Sequence, residues 1–167
     1  MGRKYEGQRA VPPEEGEAHR ETIHAFLSDC NGVAGYLLTY RRDGLARMRP
    51  VTPFMEGWRI QVLTQDVQPK TGHIRRNPQV GFLWSGMHPR ERANDPVNVF
   101  VQATAELVDD PDEVARFLEK RERLTGRGTD SPEDYRPLMI RATPHYLRAE
   151  GLTGRRRPIV YREFPGL

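Results

Sequence analysis

Arg49, Lys70 and Thr71, with the hydroxyls of Thr52 and Thr64, are the residues whose types and spacing can do chemistry in this chain. They fall in one stretch, from Arg49-Pro50-Val51-Thr52 through Val62-Leu63-Thr64 to Lys70-Thr71-Gly72-His73-Ile74-Arg75-Arg76-Asn77-Pro78. It reads as a strand, a turn, a second strand and a short basic helix, which can gather backbone donors, hydroxyls and cations around one phosphate. A strand guanidinium gives a phosphate two parallel hydrogen bonds. At a helix start the unpaired N–H groups and the dipole favour an anion. Lysine is a poor choice there for helix stability alone, so Lys70 points to a bound anion. The expectation is a polar pocket for a phosphorylated cofactor.

Each of these residues also has a structural reading. Arg49 can be a solvated strand arginine in an ion pair, and Thr52 and Thr64 can be ordinary strand residues. Arg75 and Arg76 fall in the last helical turn, where cations are favourable in any protein. Gln102 can offer its amide to a heteroaromatic edge or face water. Trp84 can line an aromatic pocket or pack in the core.

Other chemistries lack a scaffold. Ser28, Ser85 and Ser131 stand outside any nucleophile-elbow pattern, and the five histidines show no H-E-x-x-H or comparable metal spacing. His24 reads as a packing residue, and the single Cys30 as a small buried hydrophobe. No residue is nominated as catalytic.

The elements that must position these groups follow from periodicity. Residues 1–16, with Pro12-Pro13-Glu14-Glu15, read as a flexible N-terminal arm that is disordered or lies on a partner subunit, and 17–167 as a single domain. An amphipathic helix spans 17–30 and stops at Asn31-Gly32. Strands are expected at 34–40, 45–54 and 58–64, the first two joined by a hairpin at Asp43-Gly44, the next turn at Glu56-Gly57. The basic helix covers 70–76 and ends at Asn77-Pro78. A strand over 80–84, a loop over 86–96 and a long alternating strand from Val97 to Leu107 follow. Asp110-Pro111-Asp112-Glu113 starts a helix that ends near Thr125-Gly126. After a loop over 127–134, further strands lie within 137–150 and 159–163, with Arg155-Arg156-Arg157 as a basic turn. About six strands and three helices, with hairpin-like connections, predict a mainly β (α+β) fold: a six-stranded antiparallel barrel with flanking helices.

Composition narrows the function classes. A lone cysteine excludes an internal disulfide and agrees with a reducing cytoplasm. No apolar run approaches the length of a membrane span. Twenty-six basic residues against 23 acidic ones leave a formal charge of +3, and interleaved aromatic and cationic stripes are missing, so no nucleic-acid partner is expected.

The order of these pieces resembles the pyridoxamine 5′-phosphate oxidase-like superfamily of FMN-binding split β-barrels, which includes deazaflavin F420-dependent reductases. The resemblance covers roughly residues 20–125. It is carried by Gly35 to Thr39, Asp43-Gly44, Arg49-Pro50-Val51, Thr64, Lys70 with Ile74-Arg75-Arg76-Asn77-Pro78-Gln79-Val80, and the strand from Val97 to Val108 before Asp109-Asp110-Pro111. It implies a split barrel and a homodimer with the site at the subunit interface. It also implies hydride transfer through bound FMN, or alternatively F420, to a small acceptor. A non-catalytic flavin- or haem-binding protein on the same fold is the other alternative. Carried over by position, Arg49, Pro50, Val51, Thr52, Leu63, Thr64, Lys70 and Thr71 surround the cofactor, with Gln102 nearby. Gln68-Pro69 stands where many relatives have Ser-Arg, so one phosphate-binding cation is missing and F420 stays in view beside FMN.

Overall fold

Strand pairing, more than helix packing, organises this chain. The computed structural model describes residues 10–30, 35–87, 96–126, 136–152 and 157–167. Its strands are β1 (Gly35–Tyr40), β2 (Ala46–Val51), β3 (Pro53–Glu56), β4 (Arg59–Gln65), β5 (Gln79–Met87), β6 (Pro96–Val108), β7 (Pro137–Glu150) and β8 (Ile159–Tyr161). The helices are α1 (Pro13–Glu17), α2 (Arg20–Asp29), α3 (Pro69–Arg76) and α4 (Pro111–Thr125). Of the sequence expectations, the Asn31-Gly32 stop, residues 88–95 of the central loop, the 127–134 loop, and Arg155 and Arg156 lie outside the described residues.

Seven strands form one antiparallel row in the order β2-β1-β5-β6-β7-β4-β3, and short β8 pairs on β7. The two ends of the row, β2 and β3, are consecutive in the chain and separated only by Thr52. One bent run therefore pairs with β1 through its first half and with β4 through its second, which curls the sheet into a half-barrel with flanking helices. The expected count of six strands is corrected to seven in the row, with the short β8 as an eighth beside it, and this division accounts for one of the additions. The single strand expected over 45–54 breaks at Thr52, where the chain changes partner and Pro53 has no N–H to offer a ladder.

The barrel interior is one apolar cluster that includes Leu37, Val51, Ile60, Val62, Val80, Phe82, Val101 and Ile140. The expected alternation of β6 is realised, with Val99, Val101 and Ala103 facing in and Gln102 and Thr104 facing out. A second cluster, Phe54, Val108, Phe117 and Met139, lies under α4, with the Phe54 and Phe117 rings edge to face at 5.5 Å. The start of α4 is fixed by its cap: the Asp110 carboxylate accepts from the Glu113 N–H at 2.9 Å.

The described part of the expected arm, residues 10–16, carries α1 and docks on β8. Val11 N–H donates to the Pro158 carbonyl at 2.9 Å, and the Tyr161 hydroxyl donates to the Gly16 carbonyl at 2.7 Å. On α2, His24 Nε2 donates to the Gly57 carbonyl at 2.9 Å and packs edge-on against Trp58, so it is a packing residue. Cys30 is half-buried against the main core, and burial pushes its thiol pKa up. Among the described residues no helix is long and apolar enough to cross a membrane.

Candidate anion-binding site

Polar residues that are buried without an apolar reason mark the place where α3 meets the barrel. Lys70, Thr71 and His73 are buried on α3 beside the core residue Ile74. The helix has Pro69 in its first turn and no side-chain cap. The turn leading into it is braced by Thr71, whose hydroxyl lies 2.7 Å from the Asp66 carbonyl and 2.6 Å from that of Gln68. Thr64 is buried at the end of β4 and donates to Gln68 Oε1 at 3.3 Å; Lys70 Nζ donates to the same oxygen.

β2 supplies the opposing cations. Register places Arg47 opposite Thr39 and Arg49 opposite Leu37. Both therefore share the sheet face that Thr39 and Leu37 bury. Thr39 meets His73 through Oγ1 and Nδ1 at 2.9 Å, which brings α3 over the same face. Arg49 Nη2 is buried and has no hydrogen-bond partner.

The electrostatics are one-sided. Burial pushes the Lys70 pKa down, and the Arg49 charge pushes it further. Burial lowers the Arg49 pKa too, with a smaller contribution from Arg47. The acids at hand are engaged elsewhere: Asp66 pairs with Arg75, and Asp43 with Arg41 at 2.7 Å. Among the described residues no carboxylate pairs with Arg47, Arg49, Lys70 or Arg76. An orphaned buried guanidinium nitrogen beside an ammonium whose partner is a neutral amide suits a phosphate, which charge-assisted hydrogen bonds would satisfy.

The other expected residues are placed variously. Val51 is buried in the barrel, Thr52 is exposed between β2 and β3, and Pro50 faces the outer side opposite Tyr36. The Leu63 side chain packs against the cluster under α4. Gln102 lies opposite Gly81, which lies opposite Leu38, so its side chain is on the sheet face opposite to Arg49. There it borders a cavity of about 240 Å³ lined also by Tyr40, Phe100 and His145. A larger cavity of about 510 Å³ between α4 and the far side of α3 includes the mutually paired Asp66 and Arg75, and does not share the cationic character.

Three members of the cluster, Arg47, His73 and Arg76, went unrecognised from sequence as a group. The signals were available: Arg47 and Arg49 are two apart on a strand, and Lys70 and His73 three apart on a helix, so each pair shares a face.

The family model described as pyridoxamine 5′-phosphate oxidase matches residues 20–149. The chain belongs to this family. Among solved members of the fold, the pyridoxamine 5′-phosphate oxidase-like chain is similar to General Stress Protein 26 from Bacillus anthracis, at 20% identity and a TM-score of 0.63 over 87% of this chain and 99% of that one. It is similar to an F420 reductase at 23% identity and 0.57, over 74% and 94%. It is also similar to a haem-binding protein from Mycobacterium smegmatis at 15% identity and 0.66, over 92% and 60%. At these identities the likeness is one of fold. No curated protein sequence matches the chain significantly.

Proposed function

We propose that the cradle formed by Arg49, Lys70 and Thr64 holds the phosphate of FMN, and that the protein is a cytoplasmic FMN-dependent oxidoreductase acting on a small acceptor. The observation that carries this reading is the buried, unpartnered Nη2 of Arg49 beside Lys70. The flavin, when bound, supplies hydride transfer at its ring system. The residues of the chain bind and orient it: Arg49 and Lys70 offset the phosphate charge, the Thr64 hydroxyl turns from Gln68 Oε1 to donate to a phosphate oxygen, and the main chain of Pro50 to Thr52 borders the ring. This division of labour agrees with the absence of any acid-base constellation in the sequence. A homodimer is part of the reading, because Tyr36 and Met48, 43% and 54% exposed, lie with Gln102 on the outer sheet face, where a second copy would cover them.

One observation favours F420 as the second reading. Gln68, a neutral amide, stands at the entry to α3, while the exposed Arg47 and Arg76 extend the positive field past a single phosphate and would suit an acidic tail. The likeness to an F420 reductase fold supports it as well. Fluorescence titration of the purified protein with FMN and with F420 decides between them. Micromolar or tighter binding to one, lost in Arg49→Met, is the expected result; failure of both to bind removes the reading. A bound cofactor that no nicotinamide or acceptor can reduce and reoxidise would make the protein a carrier instead.

A further inference from the structure

Among the described residues, His73 is a buried titratable side chain at the cradle that the proposed function leaves unused. It is 7% exposed, and its Nδ1 lies 2.9 Å from Oγ1 of the fully buried Thr39. Among the described residues, the charges that bear on it are all cations: Arg49 and Arg47 from β2, Arg76 from its own helix and Arg41 from the β1–β2 turn, with Lys70 one turn earlier on the same face of α3. β6, which also packs on α3, buries the uncharged Ala103 and Ala105 in the core cluster that holds Ile74. Thr39 is a suitable partner for either protonation state. Its hydroxyl can donate to a neutral imidazole or accept from an imidazolium, so the bond survives a change of charge at the ring.

We propose that His73 is a proton-linked member of the anion cradle, taking up a proton when a phosphate or sulfate group enters among Arg49, Lys70 and Arg76. The inference rests on the reading of the cradle as an anion site, and not on which cofactor fills it. Burial first, and then the repulsion of Arg49, Arg76, Arg47 and Arg41, hold the imidazole pKa below its ordinary value in the free protein. An anion among those cations offsets their repulsion and favours the imidazolium. By linkage the bound state then carries more protons than the free state, so affinity rises as pH falls through the histidine range. A histidine that merely pins α3 to β1 would show no such coupling.

The test uses the whole protein and inorganic sulfate, which stays dianionic across this range and adds no titration of its own. His73 is followed by NMR through a pH series with and without saturating sulfate, and sulfate affinity is measured from about pH 5.5 to pH 8 in the wild type and in His73→Gln. The expected result is an upward move of the His73 midpoint on binding, and affinity about tenfold tighter at the acid end, a ratio that falls towards one in the variant. The NMR series needs no variant, so a misfolded His73→Gln leaves the test intact. Absence of sulfate binding, an unmoved His73 midpoint, or the same pH dependence in the variant overturns the proposal. If sulfate shows the coupling while FMN and F420 fail to bind, the cofactor reading falls and the proton linkage stands. If FMN binds but no proton uptake accompanies either ligand, the reverse holds.

Discussion

Arg49 on β2 is near enough to Lys70 on α3 for its charge to add to the burial that already depresses the Lys70 pKa. Among the described residues, no carboxylate pairs with either of these two cations. The free protein stores an unfavourable electrostatic interaction at the place where an anion would be bound.

That relationship predicts opposite effects on stability and on binding. Because the folded pKa of Lys70 lies below its unfolded value, the unfolded chain holds more protons between the two, and this group makes stability rise with pH towards about 10.4. Lys70→Met should raise the melting temperature of the ligand-free protein at neutral pH and remove that part of the alkaline rise. The same substitution should weaken phosphate-bearing ligands by roughly 10- to 100-fold, the range for a charged hydrogen bond. Thermal melts with and without FMN measure both, and a variant that loses stability while keeping affinity contradicts the assignment.

Two glycines on β1 and β5 separate packing from openness. A Cβ at Gly35 would sit 3.3 Å from Nε1 of the buried Trp84 and 3.3 Å from Pro53 Cγ, so these neighbours must shift by a few tenths of an ångström. At Gly81 it would meet Phe100 at 3.4 Å and Leu38 at 3.5 Å, which is close to ordinary contact. Gly35→Ala should cost about 1 to 3 kcal/mol, whereas Gly81→Ala should cost less than about 1 kcal/mol. Urea denaturation of the pair checks this, and equal losses would refute the distinction.

Legibility of the fold in the sequence followed the range of the interactions. β6 could be read because its alternation is local, and α4 because Asp110, Pro111 and Glu113 are adjacent. The docking of α1 could not, since the Tyr161 hydroxyl that holds Gly16 comes from 145 residues away. The break at Thr52 depends on which strand pairs with each half of a continuous run, which no local pattern encodes. At the candidate site, residue types pointed to an anion near Arg49 and Lys70. Only strand register showed that Gln102 faces the other way, and only the Thr39–His73 bond showed why a buried histidine belongs to the cluster.

The α4 cap gives a stability prediction independent of the site. Asp110→Ala removes the acceptor for the Glu113 N–H and a charge that complements the helix dipole. A loss of about 1 kcal/mol is expected, with Asp110→Ser recovering most of it. FMN affinity should stay unchanged, because α4 covers the cluster around Phe117 and not the cradle. A change in affinity without one in stability would show that the helix has a different role.

Tyr161 should make the protein sensitive to alkali. Its ring is buried beneath the Arg20 guanidinium, 4.1 Å above the centroid, and its hydroxyl donates to the Gly16 carbonyl. Burial pushes its pKa up to about 12; the Arg20 charge opposes this, and Glu17 adds slightly to it. A phenol whose folded pKa is raised keeps its proton between about pH 10 and 12 while the unfolded chain releases one. Its contribution is therefore complete below pH 10 and is lost as pH rises to 12, by on the order of 2 to 3 kcal/mol for two units. Tyr161→Phe should begin about 1 kcal/mol less stable at pH 8, for want of the hydrogen bond to Gly16, and then lack this alkaline decline. Denaturation midpoints at pH 8, 10 and 11.5 compare the two chains; parallel declines in both would place the sensitivity at another group.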